Sequence, residues 1–373
     1  TPTLYWAVQH LGADAGVQIT GSHNPPEYNG FKMLANGSSF YGESIQRLKA
    51  RIQEQRFVSG EGTLEERDVL DEYVADVVGR FDLARPVKVV VDCGNGAGSL
   101  VAVRLLEGIG ADVVPLYCES DGTFPNHHPD PTVDEFIADM IARVKSEGAD
   151  LGVAFDGDAD RIGVVDENGA IVRGDLLLLL FGLDVLAEAG PGQSVIFDVK
   201  CSQALPEVLE ARGGDPIMWK TGHSLIKEKM KETGAPVAGE LSGHICFADD
   251  YYGFDDAPYA ACRLVDLLAR SDRPLSEHVA EFPRYESTPE IRVDVPEERK
   301  FEIVERAVEA FSKEYEVIDV DGARVLFDDG WGLLRASNTQ PVLVLRYEAR
   351  TASGLERIRQ TMEGWLEGVG VSP

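Results

Sequence analysis

Strand-length runs rich in β-branched residues alternate with helical patterns along nearly the whole chain. No other feature limits the fold as much. Val87-Lys88-Val89-Val90-Val91 closes on Asp92-Cys93-Gly94-Asn95-Gly96. Gly98 to Gly108 then carries Leu100, Val103, Leu105 and Leu106 in a helical pattern, and Asp112 to Leu116 is strand-like again. Strand, turn, helix, strand is a βαβ unit, which builds parallel sheets. Val195-Ile196-Phe197-Asp198-Val199 restarts the pattern, with a helix over about Gln203 to Glu210 and a strand over Pro216 to Trp219.

A shorter repeat runs through the same segments. Gly12-Ala13-Asp14-Ala15-Gly16-Val17-Gln18-Ile19-Thr20 resembles Gly148-Ala149-Asp150-Leu151-Gly152-Val153-Ala154-Phe155-Asp156, and Gly234-Ala235-Pro236-Val237-Ala238-Gly239-Glu240 is a shorter version. Each is read as a buried strand ending in a loop of reactive side chains, near Ser22, Asp156 and Glu240. Ligands of open α/β sheets bind at that edge. Beyond about Pro283 the texture becomes α+β, with strands at Glu286 to Val295, Tyr315 to Val320 and Val342 to Tyr347. Helices are expected at Glu298 to Phe311 and Gly354 to Trp365. Boundaries fall near residues 67, 170 and 283. The expectation is three similar α/β domains with mixed sheets, the first truncated, plus a smaller C-terminal α+β domain, around a central cleft. The segments are 1–67, 68–170, 171–283 and 284–373.

Charge narrows the function. The 373 residues carry 35 Lys+Arg against 64 Asp+Glu, a formal net charge of −29. Such a chain repels phosphate backbones and anionic lipid, so neither nucleic acid nor membrane is an expected partner. An anionic substrate would need positive charge gathered locally. The five cysteines are odd in number and form no CxxC pair, which points to a reducing cytoplasm and no disulfide framework. No apolar run reaches spanning length.

Four loops carry chemistry. Asp156-Gly157-Asp158-Ala159-Asp160-Arg161 offers alternate carboxylates after a strand, a donor set for Mg²⁺ or Mn²⁺. An EF-hand is excluded because Arg161 stands where its sharp turn needs glycine, and Asn168-Gly169 reads as a hairpin turn. Thr20-Gly21-Ser22-His23-Asn24-Pro25-Pro26 holds a serine on a stiff loop, as a nucleophile or phosphate carrier. Taken alone it is an ordinary turn serine. Glu240-Leu241-Ser242-Gly243-His244 could exchange hydrogen bonds with sugar hydroxyls. Arg335-Ala336-Ser337-Asn338-Thr339-Gln340-Pro341, followed by a strand with Arg346, suits a phosphate dianion.

Together and in this order, the loops resemble those of the α-D-phosphohexomutases, nearest the bacterial phosphomannomutase/phosphoglucomutase branch. The stretches Pro125 to Pro131 and Trp219 to Lys227 are similar as well. The resemblance implies that Ser22 carries a transferable phosphoryl group and that Asp156, Asp158 and Asp160 hold one Mg²⁺, with Ser22 phosphate as a further ligand. It places Arg161 beside the phosphoserine. Glu240 and Ser242 would read sugar hydroxyls, with His244 supporting their loop. Arg335, Ser337, Asn338 and Thr339, with Arg346 on the next strand, would clamp the non-reacting phosphate. Lys32, His223, Lys200 and Lys220 would surround the sugar, Lys32 and His223 being the better candidates for proton transfer. The implied reaction interconverts hexose 1- and 6-phosphates of mannose or glucose. Glucose or mannose 1,6-bisphosphate would be the intermediate and activator, in a cytoplasmic monomer whose partners are small phosphosugars.

Two departures stand out. Ala159 replaces a frequent glycine, and only 21 residues precede Ser22, where the family carries about half a domain more. The first strands of domain 1 are therefore expected to be absent from this sequence. A phosphoglucosamine mutase and a non-catalytic phosphosugar-binding relative are the alternatives. Leu241 argues against the first, and Ser22 with three intact aspartates against the second. A phosphatase is disfavoured by the lack of a strand followed by D-x-D-G-T.

Overall fold

The computed structural model describes residues 1–25, 27–338 and 340–372. Its strands form four sheets. The second is ordered Asp112–Leu116, Lys88–Asp92, Leu151–Phe155, Ile162–Asp166 and Ile171–Val172. Its first three strands run parallel and the last two return antiparallel. The third repeats the plan with Asp215–Trp219, Ser194–Asp198, Val237–Gly239 and the returning Ile245–Phe247. The first sheet is a small antiparallel one of Ala15–Ile19, Phe31–Ala35 and Ser38–Ser39. The fourth is antiparallel: Val342–Ala349 pairs Gly330–Ala336 on one side, and both Glu286–Ser287 and Ile291–Asp294 on the other.

The short sequence repeat has a topological meaning. In each of the first three sheets the repeat segment is the first strand of an antiparallel hairpin. The loop that closes the hairpin carries the reactive residues: 20–30, 156–161 and 240–244. The hairpin at Asn168-Gly169 also forms, with Gly169 at φ +76° joining the strands that end at Asp166 and begin at Ile171.

One expectation fails. Ala15–Ile19 is not a buried strand; Val17 is 56% and Ile19 63% exposed, and Phe31, across from Ile19, is 66% exposed. The alternation explains it. Gly16 faces the helix Pro2–His10, where an added Cβ would strike Val8 and Leu4, so Val17 and Ile19 point the other way. The corresponding Leu151–Phe155 is buried at every position.

Two helices fuse the second and third units. Gly174–Ala189 is apolar almost all round because both its sides are covered, with Leu177, Leu178, Leu179 and Phe181 fully enclosed. Each such side chain contributes about 1.5–3 kcal/mol by burial. Ala257–Ala269, nearly all buried, starts at Asp256, whose carboxylate accepts the Tyr259 N–H at 2.9 Å. That carboxylate also receives the hydroxyls of Tyr73 and Tyr251. A single apolar cluster therefore runs from Tyr5 to Phe282, and a second holds the last unit, from Val293 to Val371. Among the described residues no helix is long and apolar enough to cross a membrane.

Candidate functional site

The carboxylate loop is tight because Asp156 organises it. Its Oδ1 accepts the backbone N–H groups of Asp160 and Arg161 at 3.0 and 3.1 Å, and Ala159 sits at φ +61°. One oxygen from each of Asp156, Asp158 and Asp160 falls within 4.8 Å of the others, and all three residues are buried. Oδ1 of Asp158 and of Asp160 are enclosed without a hydrogen-bond partner. Three buried carboxylates that converge, two of them with an enclosed oxygen lacking a hydrogen-bond partner, are the donor set of a hard divalent cation, so these residues fit Mg²⁺. Burial, then the two neighbouring carboxylates, push Asp156 up to about 8. Burial opposes ionisation of Asp158 and Asp160 too, but the surrounding positive groups together, Lys32 first among them, outweigh it and hold both below the ordinary range.

Ser22 comes to this loop from the first hairpin. It stands at φ +51°, its N–H bonds Thr20 Oγ1 at 2.8 Å, and its Oγ donates to Asp156 Oδ2 at 3.0 Å. His23 Nδ1 lies 3.0 Å from the same Oγ, with its pKa lowered to about 4 by burial and then by Arg161. Gly157 is needed here, since an added Cβ would collide with the Ser22 carbonyl. Lys32, on the returning strand, donates to Asp158 at 2.8 Å and also to Asp160. Burial would lower that ammonium, yet Asp160 and Asp158 raise it above its ordinary value, so it remains a cation.

The third hairpin closes the other side. His244, buried, receives the Arg161 Nε–H at Nε2, 3.0 Å away, and its Nδ1 lies 3.0 Å from Asp255 and 3.6 Å from Asp160. Asp160 and Asp255 overcome burial and raise it. Asp156 and Asp160 likewise raise Arg161 against burial. His223 opens the helix His223–Thr233. It stacks on His244 with ring centres 5.1 Å apart, and its Nδ1 lies 3.1 Å from Asp255. Burial, then Lys227, lower its pKa, which favours the neutral ring. Glu240, buried, accepts the Gly222 N–H at 3.1 Å and faces Ser242 Oγ at 3.4 Å.

From there the contacts reach the last unit. Asp321 accepts both the Thr221 N–H at 3.0 Å and Arg335 Nε at 2.9 Å. Lys200 lies between Asp198 at 3.7 Å and Glu290 at 3.4 Å, and Arg346 is 4.0 Å from Asp175. Ser337 is buried, its Oγ accepting the Gln340 N–H, while Asn338 is exposed. Lys220 is exposed. Thr339 and Pro26 lie outside the described residues. A line of contacts thus runs from Ser22 through Asp156, Arg161 and His244, and a second from Glu240 through Gly222 and Thr221 to Arg335.

Four family models match in order. Phosphoglucomutase/phosphomannomutase alpha/beta/alpha domains I, II and III match residues 1–59, 71–169 and 173–285, and the C-terminal domain of the same family matches 290–364. The chain belongs to the phosphoglucomutase/phosphomannomutase family. It is accordingly a phosphohexomutase, an isomerase that moves phosphate within a sugar. The Pseudomonas aeruginosa phosphomannomutase/phosphoglucomutase is 50% identical over 374 residues, covering 100% of this chain and 80% of that protein. The Neisseria gonorrhoeae phosphoglucomutase is 47% identical, covering 98% of this chain and 80% of that one. A Burkholderia thailandensis phosphoglucomutase/phosphomannomutase family protein of known structure superposes with a TM-score of 0.89 at 44% identity, covering 96% of this chain and 78% of that one. An Aspergillus fumigatus N-acetylphosphoglucosamine mutase shares the fold at 16% identity and TM-score 0.65, over 95% of this chain and 91% of that one.

Sequence reading missed several residues that the geometry places here. Asp255 bridges both histidines and takes Lys227 Nζ at 2.7 Å. His128 Nε2 donates to the His23 carbonyl, so that nitrogen carries the hydrogen, and the contact steadies the Ser22 loop. The segment holding His128 resembled the family, but nothing in its spacing showed which ring would turn toward Ser22.

Proposed function

We propose that the chain interconverts glucose or mannose 1- and 6-phosphates through phosphoserine 22, in four domains: 1–67, 68–170, 171–283 and 284–373. The contact of Ser22 Oγ with Asp156, inside a cluster of three converging carboxylates, carries this reading. Asp156, Asp158 and Asp160 would hold one Mg²⁺, with a phosphoserine oxygen as further ligand. The ion would supply charge neutralisation on the transferring phosphoryl group. The fold-sharing A. fumigatus enzyme was solved with GlcNAc-6P and magnesium, which supports a metal and a phosphosugar in this fold.

The chain's own groups then divide the work. Arg335, Ser337, Asn338 and Thr339, with Arg346, grip the phosphate that does not react, while Glu240 and Ser242 hold sugar hydroxyls and Lys200 and Lys220 add positive charge nearby. The free 6-hydroxyl attacks the phosphoserine phosphorus as the bond to Ser22 Oγ breaks. His223, neutral at working pH, takes the hydroxyl proton. Lys32, held as an ammonium, returns a proton to Ser22 Oγ, and Arg161 faces the charge on the equatorial oxygens. The product is a hexose 1,6-bisphosphate. It turns end for end and returns its other phosphate to Ser22.

Steady-state assays with glucose, mannose and glucosamine 1-phosphates test the reading. Turnover of the first two at comparable kcat/KM supports it, because Glu240 and Ser242 would hold hydroxyls the epimers share. A preference of ~10⁴ between them would mean a site built on the 2-hydroxyl. Turnover of the glucosamine ester alone would favour the phosphoglucosamine reading.

A further inference from the structure

Five cysteines form no sequence motif, yet two of them meet. Cys93 follows the strand Lys88–Asp92 and Cys118 follows its parallel neighbour Asp112–Leu116. Cross-strand bonds lock the two ends in step, Cys93 N–H to Leu116 O at 3.1 Å and Asn95 N–H to Tyr117 O at 2.9 Å. Both ends then curl through left-handed backbone, at Gly94 (φ +50°), Asn95 (φ +60°) and Tyr117 (φ +52°). For a residue as bulky as Tyr117 that conformation is costly and uncommon. The outcome is that the two Sγ atoms lie 3.0 Å apart. A disulfide requires about 2.05 Å, so about 1 Å of closure would join them.

The pair has an inside and an outside. Cys93 is fully buried and Cys118 is half-buried. The contact with Cys93, ahead of a smaller opposing effect of burial, lowers the Cys118 thiol, while the same contact and burial raise Cys93. The outer sulfur is therefore the better thiolate and the inner one is placed to resolve it. The other cysteines, Cys201, Cys246 and Cys262, are buried with raised thiols and have no sulfur partner among the described residues.

The loop begun by Cys93 rests on the carboxylate loop. Ala97 N–H donates to Gly157 O at 2.9 Å, and a Cβ on Gly96 would lie 2.8 Å from that same oxygen. Gly157 in turn abuts the Ser22 carbonyl. Cys93 is thus three residues from an atom that packs on the proposed metal and phosphoserine loops.

We propose that Cys93 and Cys118 are a site of reversible oxidation by hydroperoxides, and that closing their disulfide displaces the Gly157–Ser22 contact and slows the mutase. The Cys118 thiolate attacks one oxygen of hydrogen peroxide, giving a sulfenic acid and releasing hydroxide. Cys93 sulfur then attacks the sulfenyl sulfur, loses its proton and expels the oxygen held in the sulfenic acid as water. Two thiols and one peroxide become one disulfide and two waters. A dithiol such as dithiothreitol reverses the step by exchange.

The test treats the folded full chain with hydrogen peroxide, then follows peptide mass and turnover. The expected result is a Cys93–Cys118 crosslinked peptide with two hydrogens fewer, and a loss of activity of about ten-fold that dithiothreitol restores. Cys118→Ser, at a half-buried position outside the substrate machinery, should keep basal activity and lose the response. The mass measurement stands without the mutase reading; only the turnover arm rests on it. Sulfinic acid at Cys118 without a crosslink would overturn the proposal. So would a crosslink that leaves turnover unchanged, or an equal loss of activity in Cys118→Ser.

Discussion

Ser22 is held by what surrounds its backbone as much as by its hydroxyl. Its carbonyl fills the space where a side chain on Gly157 would stand. Gly157→Ala should therefore lower kcat by about 10² while the fold survives, because in-line transfer tolerates little displacement. Steady-state kinetics beside a thermal melt check this, and activity within a few-fold of the parent would show that the contact does not position Ser22. Asp256 gives a stability prediction. Burial raises its carboxyl to about 6, so the folded chain holds that proton at pH values where the unfolded chain has released it. The cost of the buried charge is full above pH 6 and is relieved as pH falls through 6. Relative to Asp256→Asn, the parent should gain about 1 kcal/mol between pH 7 and pH 5, measured by urea unfolding. Not every residue was legible beforehand. The three aspartates stand in a short motif whose chemistry follows from spacing, while Ser22 was legible only through the resemblance of its loop to the family's. Asp255 sits beside the helix-capping Asp256, and its partners His223, Lys227 and His244 come from other elements, so no local pattern marks it.

At the scale of elements, the recurring unit is a hairpin whose closing loop carries function. The short repeat marked the strands and their reactive loops in the sequence, but that each strand turns back as an antiparallel hairpin came only with the pairing. Burial was less legible: Val17 and Ile19 look like core residues until the register turns them from the helix Pro2–His10. The strands Ala323–Phe327 and Gly330–Ala336 were not foreseen as a hairpin, since Asp328-Asp329 separates them with no glycine until the second strand begins. In the proposed reaction the first two hairpins share one site. Phosphorylation of Ser22 adds about −1.5 to −2 charge beside Asp156. Mg²⁺ should then bind the phosphorylated form more tightly than the dephosphorylated form by calorimetry. Equal affinities would separate the serine from the metal site.

The whole molecule depends on how the last unit is fastened to the third. Arg324, fully buried, donates to the carbonyls of Val199 at 2.6 Å and Cys201 at 2.9 Å and lies 3.7 Å over the Trp331 ring. Burial pushes this guanidinium down to about 10, but at neutral pH it stays charged. Arg324→Met would strand two buried carbonyls and should cost about 2–4 kcal/mol by urea unfolding. It should also raise KM more than it lowers kcat, because Arg335 and the other residues proposed to grip phosphate ride on the same unit. A fall in kcat alone would place the effect elsewhere. The central claim is that phosphate passes through Ser22, and peptide mapping of the protein as it turns over measures that directly. Incubation with glucose 1,6-bisphosphate and Mg²⁺ should place one phosphate on the Ser22 peptide. Glucose 1-phosphate added next should remove it and yield the bisphosphate again. Turnover that proceeds with no phosphate on Ser22, or at nearly the parental rate in Ser22→Ala, would contradict the account.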